Sequence, residues 1–131
     1  MKKILCIDDA TYTLASIKEA LSDEFEVLLA RDSQSAIQQA MDEEIDLIII
    51  DPQINKEDGI ELLNYLAHSE PRYLATPIIV LTATTDEMQR EKLARFNVEA
   101  ILNKPCVVSK LRRNIEDAFI KSRLADQRTN P

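Results

Sequence analysis

The sequence predicts an α/β fold, a five-stranded parallel sheet covered by helices on both faces, and three observations carry that prediction. Five short apolar runs, each of strand length, recur along the chain. They show little polar alternation, as expected of strands buried on both sides. Amphipathic stretches separate them, so the order β-α repeats five times and implies right-handed parallel crossovers.

The first run is Ile4-Leu5-Cys6-Ile7, and Leu14, Ile17 and Leu21 then recur at helical spacing. Val27-Leu28-Leu29-Ala30 follows, and Asp32 or Ser33 suits the cap of a second helix bearing Ile37, Ala40 and Met41. The third run is Leu47-Ile48-Ile49-Ile50, with Ile60, Leu63, Leu66 and Ala67 on the helix after Gly59. Ile78-Ile79-Val80-Leu81 precedes a sparser stripe of Met88, Leu93, Ala94 and Phe96 after Thr85-Asp86. Ala100-Ile101-Leu102 leads into the last helix, where Val108, Leu111, Ile115, Ala118 and Phe119 share a face. Lys110, Arg112 and Arg113 lie on its polar side and read as a solvated face. We divide the chain into one domain over 1–124 and a polar tail or truncated linker over 125–131.

A length of 131 residues allows one domain with a core of its own, and 45% hydrophobic with 30% charged residues is a globular composition. The formal charge of -7 disfavours non-specific binding to nucleic acid or to an anionic membrane. Cys6 and Cys106 lack the spacing of a zinc site or a redox pair, which points to a reducing compartment. The apolar stretch at the N-terminus is too short for a signal peptide, and no run approaches a membrane span of about 20 residues. A cytoplasmic location is expected.

Ligands of open parallel sheets bind beyond the carboxyl ends of the strands. There the sequence places Asp8 and Asp9 after the first run, Asp51 after the third, Thr82 after the fourth and Lys104 after the fifth. Three carboxylates drawn together would repel by roughly 4 kcal/mol per close pair at an effective dielectric near 20. One lysine offsets part of this, and a hard divalent cation such as Mg2+ would offset the rest. A carboxylate is ionised at neutral pH and can attack phosphorus without a general base. Lys104 and the Thr82 hydroxyl would then hold phosphoryl oxygens, and the product would be an acyl phosphate. Taken singly, Asp8-Asp9 also suit a helix cap, Asp51 and Thr82 turn residues and Lys104 a surface lysine. Their joint placement at the ends of four strands favours the chemical reading.

With Asp8-Asp9, Asp51, Asp58-Gly59, Thr82-Ala83 and Lys104-Pro105 in this order, the chain resembles a response-regulator receiver domain, the CheY-like family of two-component signalling. The resemblance runs from Lys3 to about Leu124. It implies a doubly wound, flavodoxin-like sheet with strand order 2-1-3-4-5. It also implies Asp51 as the phosphoacceptor and Mg2+ as cofactor. Asp9 and Asp51 would hold the metal directly, Asp8 mostly through water, and the Gln53 backbone carbonyl would complete the protein ligands. Thr82, Lys104 and the amides of Gln53 and Ala83 would bind the phosphoryl group, and the Lys104-Pro105 peptide would be cis.

Some positions depart from the family pattern. Ile101 stands where the family usually carries a switch Tyr or Phe coupled to the Thr82 position. Pro52 directly follows Asp51, while the family's usual proline position holds Asn55. Asn97 replaces a common Gly. Gln53 and Thr84 occupy positions that tune hydrolysis in the family. His68 reads as an exposed residue near the end of the third helix.

The resemblance implies a switch that acts only on its own phosphorylation and dephosphorylation, and so is not an enzyme in the ordinary sense. A sensor histidine kinase or phosphotransfer protein would donate the group. The last two helices and the strand between them would change affinity for a protein target, as a monomer or weak dimer through that face. Direct binding of nucleic acid or membrane is not expected. Alternatives are the receiver module of a longer regulator with its output domain missing, or a pseudo-receiver that works without phosphorylation. A magnesium-dependent phosphatase would place Asp-x-Asp after the first strand, and a flavin carrier would not put two aspartates in its phosphate loop.

Overall fold

The computed structural model describes residues 1–54, 57–83 and 86–129. Its elements follow in the order β1 (Lys3–Ile7), α1 (Thr11–Leu21), β2 (Glu26–Ala30), α2 (Ser33–Asp42), β3 (Leu47–Ile50), β4 (Gln53–Ile54), β5 (Glu57–Asp58) and α3 (Gly59–Ser69). A 3-10 turn (Pro71–Leu74), β6 (Ile78–Thr82), α4 (Glu87–Leu93), β7 (Val98–Asn103) and α5 (Val108–Thr129) complete them. The main sheet has order β2-β1-β3-β6-β7, every pair parallel. With the two-residue hairpin β4-β5 set apart, this is the expected 2-1-3-4-5 order.

The uninterrupted apolar runs are explained by the period of two along each strand. Leu5, Ile7, Ile48, Ile50 and Val80 face one layer, where they meet Ala36 and Ala40 of α2, Leu62, Leu63 and Leu66 of α3, and Leu93 of α4. Ile4, Cys6, Leu47, Ile49, Ile79 and Leu81 face the other, against Leu14, Ile17 and Leu21 of α1 and Leu111, Ile115 and Ala118 of α5. Each fully buried Leu or Ile contributes roughly 1.5–3 kcal/mol relative to an exposed one.

Three helices begin at aspartate caps. Asp32 accepts from the Ser35 amide at 2.8 Å, Asp58 from Ile60 at 2.9 Å and Asp86 from Gln89 at 2.7 Å. α1 differs, for its N-cap is Ala10 and has no side-chain cap. The N-cap position of that helix is thus not an aspartate.

Two sequence expectations need correction here. α4 is only seven residues long and ends at Leu93, so Ala94 and Phe96 lie beyond it, and Met88 is 67% exposed. Leu93 alone anchors this helix, because its short span presents too few apolar positions for a stripe. Arg112 does not lie on a solvated face. Half-buried, it donates to the Ala20 carbonyl at 2.6 Å, to Asp23 at 3.3 Å and to Glu24, tying α5 to the end of α1. α5 carries the backbone past residue 124 to Thr129. His68 is exposed on α3, and both cysteines are free, Cys6 buried and Cys106 half-buried. Among the described residues no helix is long and apolar enough to cross a membrane.

Candidate phosphoryl-accepting site

The site is assembled by strand ends. Asp8 directly follows β1, Asp51 directly follows β3, Thr82 is the last residue of β6 and Lys104 directly follows β7. Backbone hydrogen bonds fix each to its neighbour: Asp8 donates to the Ala30 carbonyl at 3.0 Å, Asp51 to Ile7 at 3.0 Å and Lys104 to Thr82 at 2.9 Å. Residues far apart in the chain are thus brought together by sheet register.

Asp8 is 2% exposed, Asp51 7% and Thr82 0%, burial unusual for ionisable and polar side chains. Lys104 bridges the two carboxylates, with Nζ 2.6 Å from Asp8 Oδ2 and 2.9 Å from Asp51 Oδ2. The remaining carboxylate oxygens meet amides. Asp8 Oδ1 accepts from Ala10 at 2.9 Å, and Asp51 Oδ1 from Gln53 at 2.9 Å. Burial tends to lower the basicity of Lys104, but its hydrogen bonds to Asp8 and Asp51 outweigh this and hold its ammonium above the ordinary lysine value. Burial also pushes the Cys6 thiol, one strand position before Ile7, well up, so it is protonated at neutral pH.

Asp9 is half-buried beside this pair, and the side chains of Gln53 and Ala83 are exposed. The Lys104-Pro105 peptide is cis. Ile101 is half-buried and packs against the core layer of α2, α3 and α4. Asn97 donates to the Ala75 carbonyl at 2.8 Å. Asn55 and Thr84 lie outside the described residues. The amide of Ala10 is a partner that sequence reasoning missed, because a backbone donor leaves no residue signature. The double engagement of Lys104 was also unforeseen, since its spacing in the chain says nothing of which carboxylate it reaches.

The donor chemistry suits a hard divalent cation. Two carboxylates, nine-tenths or more buried, share one ammonium, and Asp9 adds a third carboxylate next in sequence. Among the described residues, no three His, Cys, Asp or Glu side chains already form a metal-holding cluster. In this structure Asp8 and Asp51 are gathered on Lys104 instead.

Comparison with known proteins agrees with this geometry. The family profile of the response regulator receiver domain matches residues 4–116. The transcriptional regulatory protein CpxR of Escherichia coli (strain K12) is 31% identical over 131 residues, covering 99% of this chain and 54% of CpxR. The chain thus spans about half the length of that regulator. A segment of the signal transduction histidine-protein kinase BarA of the same organism is 32% identical over 103 residues, covering 78% of this chain and 11% of BarA. Among solved structures, the chemotaxis protein CheY4 of Vibrio cholerae superposes with a TM-score of 0.84 at 25% identity, covering 90% of this chain and 98% of that one. A profile match over most of the chain, on a five-stranded parallel sheet of this order, means that the chain belongs to the response regulator receiver domain family of two-component signalling.

Proposed function

We propose that this receiver accepts a phosphoryl group on Asp51 from a phosphohistidine of a sensor kinase or phosphotransfer protein. The observation that carries the reading is the buried Asp51 carboxylate, held with Asp8 on the Lys104 ammonium at the carboxyl end of the sheet. In the transfer, an Asp51 oxygen forms a bond to phosphorus while the P–N bond breaks. The bonding electron pair stays on the imidazole nitrogen, and the protein gains an acyl phosphate. Lys104, already on Asp51 Oδ2, moves onto a phosphoryl oxygen without leaving the site. The Thr82 hydroxyl and the amides of Gln53 and Ala83 hold the others.

Asp9, Asp51 and the Gln53 carbonyl would bind Mg2+ directly, with Asp8 acting mostly through water. When bound, the ion neutralises charge on the phosphoryl oxygens. The chain's own contribution is orientation: Lys104 fixes Oδ2 and the Gln53 amide fixes Oδ1 of the acceptor. The protein acts only on its own phosphorylation and dephosphorylation, not as a multiple-turnover enzyme on a separate substrate, and it works in the cytoplasm.

Phosphorylation adds roughly -1.5 to -2 of charge by analogy with other phosphorylated side chains. Drawing Thr82 inward would shift the loop after β6 and alter the face of α4, β7 and α5, where a protein target binds. Coupling of about 1–3 kcal/mol is enough for such a response. The single buried anchor of α4 suits an element that moves. Ile101 on β7 would transmit the shift by packing rather than by a phenol. Because the chain spans 54% of CpxR, we also infer that it can serve as the receiver portion of a longer regulator.

Incubation with acetyl phosphate and Mg2+ followed by intact mass tests the reading. Wild type is expected to gain one phosphoryl group, and Asp51→Asn at least a tenfold smaller fraction. Equal uptake by the variant would remove Asp51 from its role, and no uptake by either would favour a pseudo-receiver.

A further inference from the structure

Gly59 is the chain's single glycine, and it stands at the first position of α3. Its φ is not positive, so conformational freedom is not what places a glycine there. Space is. A Cβ at this position would lie 2.6 Å from Pro52 Cα, 2.8 Å from Pro52 O and 3.0 Å from Pro52 C. All three are backbone atoms, so no rotamer change relieves the contact. Restoring an ordinary carbon–carbon separation of about 3.5 Å requires Pro52 or the start of α3 to recede by nearly an ångström.

The consequences run toward the acceptor. Pro52 is bonded to Asp51 on one side and to Gln53 on the other, and its ring fixes its own φ. The Gly59 amide donates to the Pro52 carbonyl at 2.9 Å. Gln53 pairs with Asp58 across the β4-β5 hairpin, and its amide holds Asp51 Oδ1 at 2.9 Å. The far end of the loop is anchored by Asp58, which caps α3 through the Ile60 amide. Displacement of Pro52 therefore moves the amide that orients Asp51.

We propose that Gly59 is a positioning residue for phosphoryl acceptance: its missing side chain lets α3 press on the Pro52 backbone, which sets the Gln53 amide on Asp51. The proposal rests on Asp51 as acceptor, but its structural half can be read without phosphorylation. A misplacement near an ångström costs on the order of 100-fold in a positioned reaction. Gly59→Ala is thus expected to lower the uptake rate at saturating acetyl phosphate and Mg2+ by about 10- to 100-fold. The half-saturating acetyl phosphate concentration should change little, because the acceptor's alignment is lost rather than donor binding.

The experiment compares wild type, Gly59→Ala and the double variant Pro52→Gly/Gly59→Ala. Glycine at 52 frees the φ that the proline ring fixes, so the backbone can yield there without turning Asp51. The double variant is expected to regain most of the lost rate, and the Gln53 amide NMR resonance should shift in Gly59→Ala and return in the double variant. A wild-type rate in folded Gly59→Ala, or an equal loss in both variants, would overturn the proposal. If Gly59→Ala fails to fold, a folded and active double variant supports it, and an unfolded one overturns it. If wild type itself takes up no phosphoryl group, Asp51 loses its assigned role. The Gln53 resonance alone then decides: shift and return support the positioning, and an unmoved resonance overturns it.

Discussion

The two ends of the sheet handle charge in opposite ways. At the amino end, Lys3 pairs with Glu43 at 2.6 Å and its backbone amide donates to Asp46 at 2.7 Å. Beside them Arg72 closes the last turn of α2 by donating to the carbonyls of Ala40 and Glu43, and the Tyr73 hydroxyl donates to that of Ala40. Each group there finds a complement, and the ion pairs are open to solvent. At the carboxyl end, two buried carboxylates compete for one ammonium. The first arrangement closes a structure, whereas the second leaves an excess of negative charge. The solvent-exposed pairs and the candidate site thus lie at opposite ends of the strands.

The contrast is broken most severely at Lys104. Lys104→Met strands Asp8 and Asp51 without a cation, and removing one partner of a buried pair typically costs about 3–5 kcal/mol. Urea unfolding should show that loss. The sign with pH is fixed by the raised basicity of this group. The stabilisation from its ammonium is complete below the ordinary lysine value of 10.5 and is lost as pH climbs through the higher folded value. Wild type should therefore lose stability steeply only above that range, and Lys104→Met should lack that component. A variant as stable as wild type at neutral pH would mean that the carboxylates need no counter-charge.

Tyr73→Phe probes the amino end and should have a smaller effect. The ring stays buried, and Arg72 still donates to both carbonyls after the hydroxyl is gone. A loss of about 1 kcal/mol in urea unfolding is expected, with phosphoryl uptake unchanged. A change in uptake would show that the two ends are coupled rather than separate.

Much of this was legible in the sequence because it depends on local pattern. Strands buried on both faces write themselves as runs such as Leu47-Ile48-Ile49-Ile50, and a cap such as Asp32 marks a helix start. The candidate site was legible because chemistry gathers at strand ends, so Asp8, Asp51, Thr82 and Lys104 stood out by what preceded them. The hidden features depend on contacts between distant residues. Arg112 reads as one more surface cation until α5 lies against α1. The single buried anchor of α4 and the crowding of Gly59 against a backbone seven positions earlier likewise show only in three dimensions.

The most direct test of the central claim locates the modified atom. After incubation with acetyl phosphate and Mg2+, borohydride reduction converts an aspartyl phosphate to homoserine, which peptide mass spectrometry can place. We predict homoserine at position 51 and at no other aspartate. Homoserine at position 8 or 9 with Asp51 intact would contradict the account.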